Sequence, residues 1–219
     1  MKSIKTILGG IRQADQKYSL FNEKDRIAIG LSGGKDSMAL LTALNLYKKF
    51  DFVNFEIVPI TLDLGFPGFD FKPIRKYVEY LGLKLVEVDS KDVYKILKEQ
   101  KKDAKHLPCS ICSRMKKAAM NKAAKANGCN KVAFAHHADD AIETLFLNEI
   151  HGGRVATFQP KMHLEREDIT FIRPFIHVRE DDIKSFVKEE NIPFYSSHCK
   201  ISPRKDMVTH AFPFQNVCW

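Results

Sequence analysis

The sequence predicts an α/β protein with a doubly wound parallel sheet, and three observations carry that reading. Short apolar runs alternate with longer segments of helical periodicity, the rhythm of strands joined by crossover helices. The runs at 27–31, 55–63 and 131–135 are largely apolar rather than strictly alternating, as strands buried on both faces require. Two of them end in dense polar clusters, Ser32-Gly33-Gly34-Lys35-Asp36-Ser37 and His136-His137-Ala138-Asp139-Asp140, where open α/β sheets present their ligand-binding residues.

The elements follow in order. Ile4, Ile7, Leu8, Ile11, Ala14 and Tyr18 recur at helical spacing over residues 3–18, with Lys2, Lys5, Arg12 and Lys17 on the polar face, so this is a lead-in helix packed on the sheet. A strand at 26–31 runs into the glycine turn, and a crossover helix follows over 36–49. The second strand, 55–63, ends in Asp63 and a turn-rich loop. A helix at 71–81, a strand at 83–88 and a basic amphipathic helix at 93–102 come next. A loop then carries Cys109 and Cys112, before a helix at 114–127 and a strand at 131–135. Ile142, Leu145, Phe146 and Glu149 mark a helix over 138–150, which Gly152-Gly153 ends. A strand at 169–172 and a helix at 179–190, closed by Pro193, complete the pattern. The 219 residues read as one domain, with the N-terminal helix at one end and a short tail over about 200–219.

Composition narrows the function. A 44% hydrophobic and 28% charged chain is ordinary for a soluble globular protein. It has no run of membrane-spanning length and no signal peptide, so the expectation is a cytoplasmic protein without a membrane partner. A net charge of +8 and a pI near 9.2 suit a polyanion such as RNA, and equally suit a merely basic enzyme. Five cysteines, two of them in Cys109-Ser110-Ile111-Cys112, point to metal or redox chemistry rather than to structural disulfides.

A strand, a paired-glycine turn and a helix start make an anion site. The glycines let backbone approach a phosphate, helix N–H groups point at it, and Ser32 and Ser37 add hydroxyls. Asp36 repels phosphate unless a cation stands between them, which argues for Mg²⁺ and a nucleotide. The second cluster lies at the same sheet edge. Its acidic residues suit a helix N-terminus, but two histidines and two aspartates in one turn exceed what capping needs. The C-x-x-C pair admits a redox dithiol, half of a zinc site, or part of an iron–sulfur site with Cys199. Cys129, just before a strand, reads as structural.

The turn does not match the common P-loop and resembles the SGGxDS loop of the PP-loop superfamily, the N-type ATP pyrophosphatases with an adenine nucleotide alpha hydrolase-like fold. With PCSICSR, HHADD followed by ETLFLN, and IRPF followed by Arg179-Glu180, the chain resembles the tRNA 2-thiocytidine synthetase family over about residues 11–199. That resemblance implies ATP-dependent tRNA thiolation. A pyrimidine carbonyl oxygen is adenylated with release of pyrophosphate, and sulfur is inserted with a [4Fe–4S] cluster. It implies ATP and Mg²⁺ at Ser32, Gly33, Gly34, Lys35, Asp36 and Ser37, with Asp63, His136, Asp139, Asp140 and Arg173 around the nucleotide. It also implies the cluster on Cys109, Cys112 and Cys199, and a catalytic lysine at Lys116 beside Asp36 and Asp139. The partners implied are tRNA and a sulfur donor, either a cysteine desulfurase or sulfide; a homodimer is left open. Cys199 stands alone where the family carries a second C-x-x-C, and the tail does not resemble the family's. Two alternatives therefore stay open: thiolation of another tRNA position or a small molecule, and a non-catalytic nucleotide-binding iron–sulfur sulfur carrier.

Overall fold

The computed structural model describes residues 2–50, 53–65, 70–99 and 109–194. Six strands form one sheet in the order β3-β2-β1-β4-β6-β5, all parallel except β5, which pairs antiparallel with β6. In chain order the elements are α1 (Lys2–Tyr18), β1 (Arg26–Gly30), α2 (Lys35–Tyr47), β2 (Glu56–Asp63), α3 (Lys72–Tyr80), β3 (Val86–Asp89) and α4 (Asp92–Glu99). Then come α5 (Cys109–Ala126), β4 (Lys131–Ala133), α6 (Ala138–Gly152), β5 (Lys161–Leu164), β6 (Ile169–Ile172) and α7 (Glu180–Glu189).

The core has two halves, one on each face of the sheet. On one face Ile27, Ile29 and Ile57 meet Ile7 and Ile11 of α1, Leu40, Leu41 and Leu44 of α2, Ile74 and Val78 of α3, and Ile183 and Phe186 of α7. On the other, Ala28, Val58, Ile60, Val132 and Phe171 meet Met120, Ala123 and Ala124 of α5. This two-sided burial explains why β1, β2 and β4 read as continuous apolar runs. Pro59 sits inside β2, where a missing N–H ordinarily breaks a ladder. Ile60 turns its carbonyl to Leu31, so Pro59 faces the β3 side, and β3 begins pairing only at Ile60.

Three findings depart from the sequence reading. The strand β5 was not expected, and its antiparallel pairing makes the sheet mixed. The helix α5 begins at Cys109, so Cys109 and Cys112 lie in a helix rather than in a loop. The third strand begins at Val86, not at residue 83, because Leu83 and Leu85 pack on the core before the ladder starts. Cys199 and the tail lie outside the described residues. Among the described residues no helix is long and apolar enough to cross a membrane.

At the sheet edge where the parallel strands begin, Lys131 and Asp25 form a buried ion pair at 2.5 Å, each side chain 4% exposed. Lys131 also donates to the Leu20 carbonyl, and Asp25 accepts from the Asn22 N–H and from Asn130. Burial favours neutral Lys131 and pulls its pKa down, and Asp25 opposes that pull. Removing one member leaves the other buried without its counter-charge. Lys131→Ala is expected to cost about 3–5 kcal/mol in urea unfolding at an unchanged m-value. A loss below about 1 kcal/mol would show that water reaches Asp25 and that the pair is not a structural anchor.

Candidate active site

All parallel strands end at one edge, and β1 delivers the glycine turn there. Leu31 donates its N–H to Ile60, and Thr61 Oγ1 donates to the Leu31 carbonyl, so the last residue of the run is fixed before the turn begins. Gly33 takes φ +80°, which an L side chain strains to adopt. Gly34 caps α2, and a Cβ there would come within 3.3 Å of Ser32 Oγ. Ser32 and Ser37 hydroxyls lie 3.3 Å apart, the Gly34 N–H points at Ser32 Oγ, and Ser37 Oγ donates to the Gly34 carbonyl. The turn is therefore a preformed ring of short polar groups over a helix N-terminus, the geometry that receives an oxyanion.

The second cluster opens α6 at the same edge. His137 caps the helix: its Nδ1 accepts from the Asp140 N–H, and its own N–H donates to Asp140 Oδ2 at 2.9 Å. The capping role weighed for these residues is thus real for His137 and Asp140. Asp140 also faces the glycine turn. Burial pushes its pKa up, the Asp36 carboxylate adds to that rise, and the His137 N–H, the His137 ring and Lys35 oppose it.

The helix α7 closes the third side. Asp139 Oδ1 receives Nε and Nη2 of Arg179 at 2.9 and 2.8 Å, and its Oδ2 accepts the Glu180 N–H at 2.7 Å. Desolvation works against ionisation of Asp139, but the Glu180 N–H and the Arg179 guanidinium outweigh it and hold the pKa down. Lys35 Nζ bridges Asp36 at 2.6 Å and Glu180 at 2.9 Å. Arg179 and Glu180 were legible only as part of a family motif. Their work, joining α6 and α2 to α7, required the fold.

The remaining candidates divide. Asp63 ends β2 at this edge, where its Oδ1 accepts from the Gly65 N–H and its Oδ2 pairs with Lys91 at 3.4 Å. Cys112, half-buried, packs with Val93, Leu64, Ile111 and Met115. Leu64 follows Asp63, so the start of α5 lies at the same edge as the glycine turn. Cys109 and Cys112 stand three residues apart in α5.

The sequence pointed to Lys116, and its neighbour Lys117 also comes within electrostatic reach of Arg173. Burial and the charge of Arg173 lower the pKa of Lys117, which places it toward Arg173. The signal was present: Ser113, Lys117, Met120 and Ala124 recur at helical spacing, and Ser113, Met120 and Ala124 are buried. Arg173 and His136 meet on this α5 side. His136 lies between the rings of Phe134 and Phe158, at 5.8 and 5.0 Å, and its pKa falls to about 3 through burial and the charges of Arg173, Lys117 and His137. Cys129 is buried, and burial pushes its thiol up to about 11, in keeping with a structural role.

A family profile described as the PP-loop domain matches residues 10–203. A tRNA-cytidine(32) 2-sulfurtransferase from Geobacter metallireducens is 34% identical, over 94% of this chain and 79% of its own. One from Geotalea daltonii is 38% identical, over 86% and 74%. Among solved structures, the U34-tRNA thiolase NcsA from Methanococcus maripaludis, with its [4Fe–4S] cluster, is similar at a TM-score of 0.72 and 23% identity, over 91% of this chain and 67% of that one. The NH3-dependent NAD synthetase from Campylobacter jejuni is similar at 0.56 and 12% identity, over 88% and 75%.

Two outcomes follow from the geometry. Gly33→Ala is expected to cost about 1–2 kcal/mol of stability from its left-handed backbone and to weaken anion binding at the turn, read by thermal unfolding with and without ATP. His136 has a folded pKa below its ordinary 6.5, so the fold selects the neutral ring. Stability conferred by that neutral ring is whole above pH 6.5 and is lost as pH falls below it. Unfolding free energy should therefore drop between pH 7 and pH 5, and His136→Asn should flatten that part of the profile. An identical slope in the variant would place the pH dependence elsewhere.

Proposed function

The chain belongs to the PP-loop domain family and, within it, to the tRNA-cytidine(32) 2-sulfurtransferases, and from that premise we propose an ATP-dependent thiolation of tRNA cytidine that proceeds by adenylation. The observation that carries the reading is the meeting of the 32–37 turn with the Asp139-Asp140 helix start at one sheet edge, close enough that the Asp36 carboxylate acts on Asp140.

ATP would lie with its phosphates on the N–H groups and hydroxyls of the turn. The carboxylates of Asp36 and Asp140 fit Mg²⁺, which takes one or two carboxylates and completes its shell from substrate phosphate and water. Among the described residues no group of three such ligands stands together, and substrate phosphate and water would complete the shell. The carbonyl oxygen of the pyrimidine attacks the α-phosphorus, and the bond to the β-phosphate oxygen breaks with its electron pair leaving on pyrophosphate. The Gly34 and Lys35 backbone and the Lys35 ammonium offset that growing charge. Hydrosulfide from a sulfur donor then adds to the activated carbon and loses its proton, and the carbon–oxygen bond breaks to release AMP, leaving a thiocarbonyl. Asp139 does not face this path freely; held by Arg179 and the α7 N-terminus, it positions the helix start that carries Asp140.

A [4Fe–4S] cluster would sit at the start of α5, which carries Cys109 and where Cys112 is half-buried among apolar side chains. Cys109 and Cys112 with Cys199 would hold it, and when bound it supplies an iron site that carries sulfur. Asp63 and Lys116 would line the nucleotide and the sulfur path.

The test uses the whole protein with ATP, Mg²⁺ and tRNA, following AMP and pyrophosphate. Formation stimulated by tRNA is expected, and Asp36→Ala should reduce it by about a hundredfold or more. Product formation at an unchanged rate in that variant would remove Asp36 from the mechanism. Mass spectrometry of tRNA nucleosides from a strain lacking the gene should show the loss of 2-thiocytidine. Its persistence would point to another substrate.

A further inference from the structure

The helix α6 leaves the candidate site with a bare apolar face. Ile142, Phe146 and Ile150 stand four residues apart and so form one stripe along it, and Leu147 adjoins them. Phe146 is 55% and Ile150 72% exposed, and Ile142 and Leu147 are close to half exposed. What fixes the helix lies on its other side: Asn148 is buried and donates to the Ala156 carbonyl, and the Ala141 carbonyl accepts from Thr157. Among the described residues no other helix lies along α6. Single apolar residues on a surface are ordinary, but a contiguous stripe of large ones marks a contact surface. A fifteen-residue helix is also marginal without packing.

The charges beside the stripe narrow what can cover it. Glu143 and Glu149 fall about 60° to either side of Phe146 around the helix axis. Both are exposed, and neither has an ion-pair partner among the described residues. Two acidic margins repel RNA, and they repel their own counterparts if the face meets a second copy. The occupant that fits is uncharged and apolar over the stripe, with basic residues beside it. The chain itself holds such a segment. Residues 207–219, MVTHAFPFQNVCW, contain no Lys, Arg, Asp or Glu but carry Phe212, Phe214 and Trp219. Lys200, Arg204 and Lys205, against the single acid Asp206, come just before them. The length suffices. The helix α7 spans about 15 Å from its start beside Asp139, whereas residues 195–206 reach about 40 Å when extended.

We propose that residues 207–219 dock on the Ile142–Phe146–Ile150 face of α6, with the basic residues before them beside Glu143 and Glu149. Apolar burial drives the contact, and attachment to the same chain spares it the cost of bringing two molecules together. Docked there, the segment braces the helix whose first turn carries Asp139 and Asp140, so residues remote in sequence bear on the candidate site. The contact needs no ligand and holds whatever reaction the site performs.

Trp219 is the only tryptophan, so its fluorescence reports the contact directly. Emission is recorded from the full-length protein without ATP or tRNA, with acrylamide as quencher, over a wide range of protein concentration. Emission to the blue of free tryptophan, shielding from acrylamide and independence of concentration are expected. Phe146→Gln combined with Ile150→Gln keeps helix propensity at two exposed positions, and circular dichroism checks that the fold is kept. In that variant the emission should move to that of free tryptophan and the shielding should be lost. Emission like that of free tryptophan in the unaltered protein overturns the proposal. A shielded Trp219 that the variant leaves unchanged puts the segment elsewhere and overturns it too. Shielding that disappears on dilution assigns the face to a second copy, which also overturns it. Should the double variant fail to fold, Ile150→Gln alone, in the last turns of α6, is read in the same way. No substrate is present, so failure of the proposed reaction leaves this result untouched.

Discussion

The register of β1 between β2 and β4 decides where every chemical group of the site lies. Ile29 stands opposite Pro59 on one side and Ala133 on the other, so the glycine turn and the His136–Asp140 cluster leave the sheet at neighbouring positions. A one-residue slip would exchange the faces of the strand. It would crowd Ile27 and Ile29 against α5, where Ala28 now packs, and set Ala28 opposite Leu40, Leu41 and Leu44, leaving a void there. The cost of that slip in both core halves protects the site, although no core residue takes part in chemistry.

Around the glycine turn, the polar groups are held by partners that contribute little to stability. Lys35, Asp36 and Glu180 side chains are 20%, 29% and 36% exposed, and pairs so placed contribute about 0–1 kcal/mol each. Their value is positional. Lys35 keeps Asp36 and Glu180 from repelling each other, and Asp139 clamps the start of α7 against the start of α6. In the proposed reaction a cation beside Asp36 and Asp140 would compete with Lys35 and relieve the repulsion that Asp36 exerts on Asp140.

The legible part of this protein was the part governed by short-range rules. A buried apolar run, a Gly-Gly turn and a helix start identify one another locally, and so do the histidine–aspartate cluster and its helix. The C-x-x-C segment reads as a loop between the 93–102 helix and the helix from Arg114. Its Pro-then-Ser pattern also starts helices, and tertiary packing of Cys112 and Met115 under Val93 favours the helix. The antiparallel β5 was missed because Lys-Met-His-Leu is short and lies at the sheet edge, where partial exposure leaves no strong apolar signal. Lys116 came from a motif counted in residues. Helical phase, marked by Ser113, Met120 and Ala124, adds its neighbour Lys117 as a second candidate.

The β5–β6 hairpin divides the molecule in time as well as in space. Its pairing joins Leu164 to Ile169 across a tight connection, whereas β1 meets β4 only by bringing Ile27 to Lys131 from far along the chain. Loop closure over so long a stretch is entropically expensive, and local pairs form faster than distant ones. After α6 the chain runs back along that helix, with Thr157 bonded to Ala141 and Asn148 to Ala156, and so brings Phe158 and Gln159 to Arg173. The aromatic wall beside Arg173 is therefore assembled from near neighbours in sequence. The glycine turn acquires its opposite wall only when the longest closure in the sheet is complete, so in order of folding the reactive edge is among the last parts of the protein to exist.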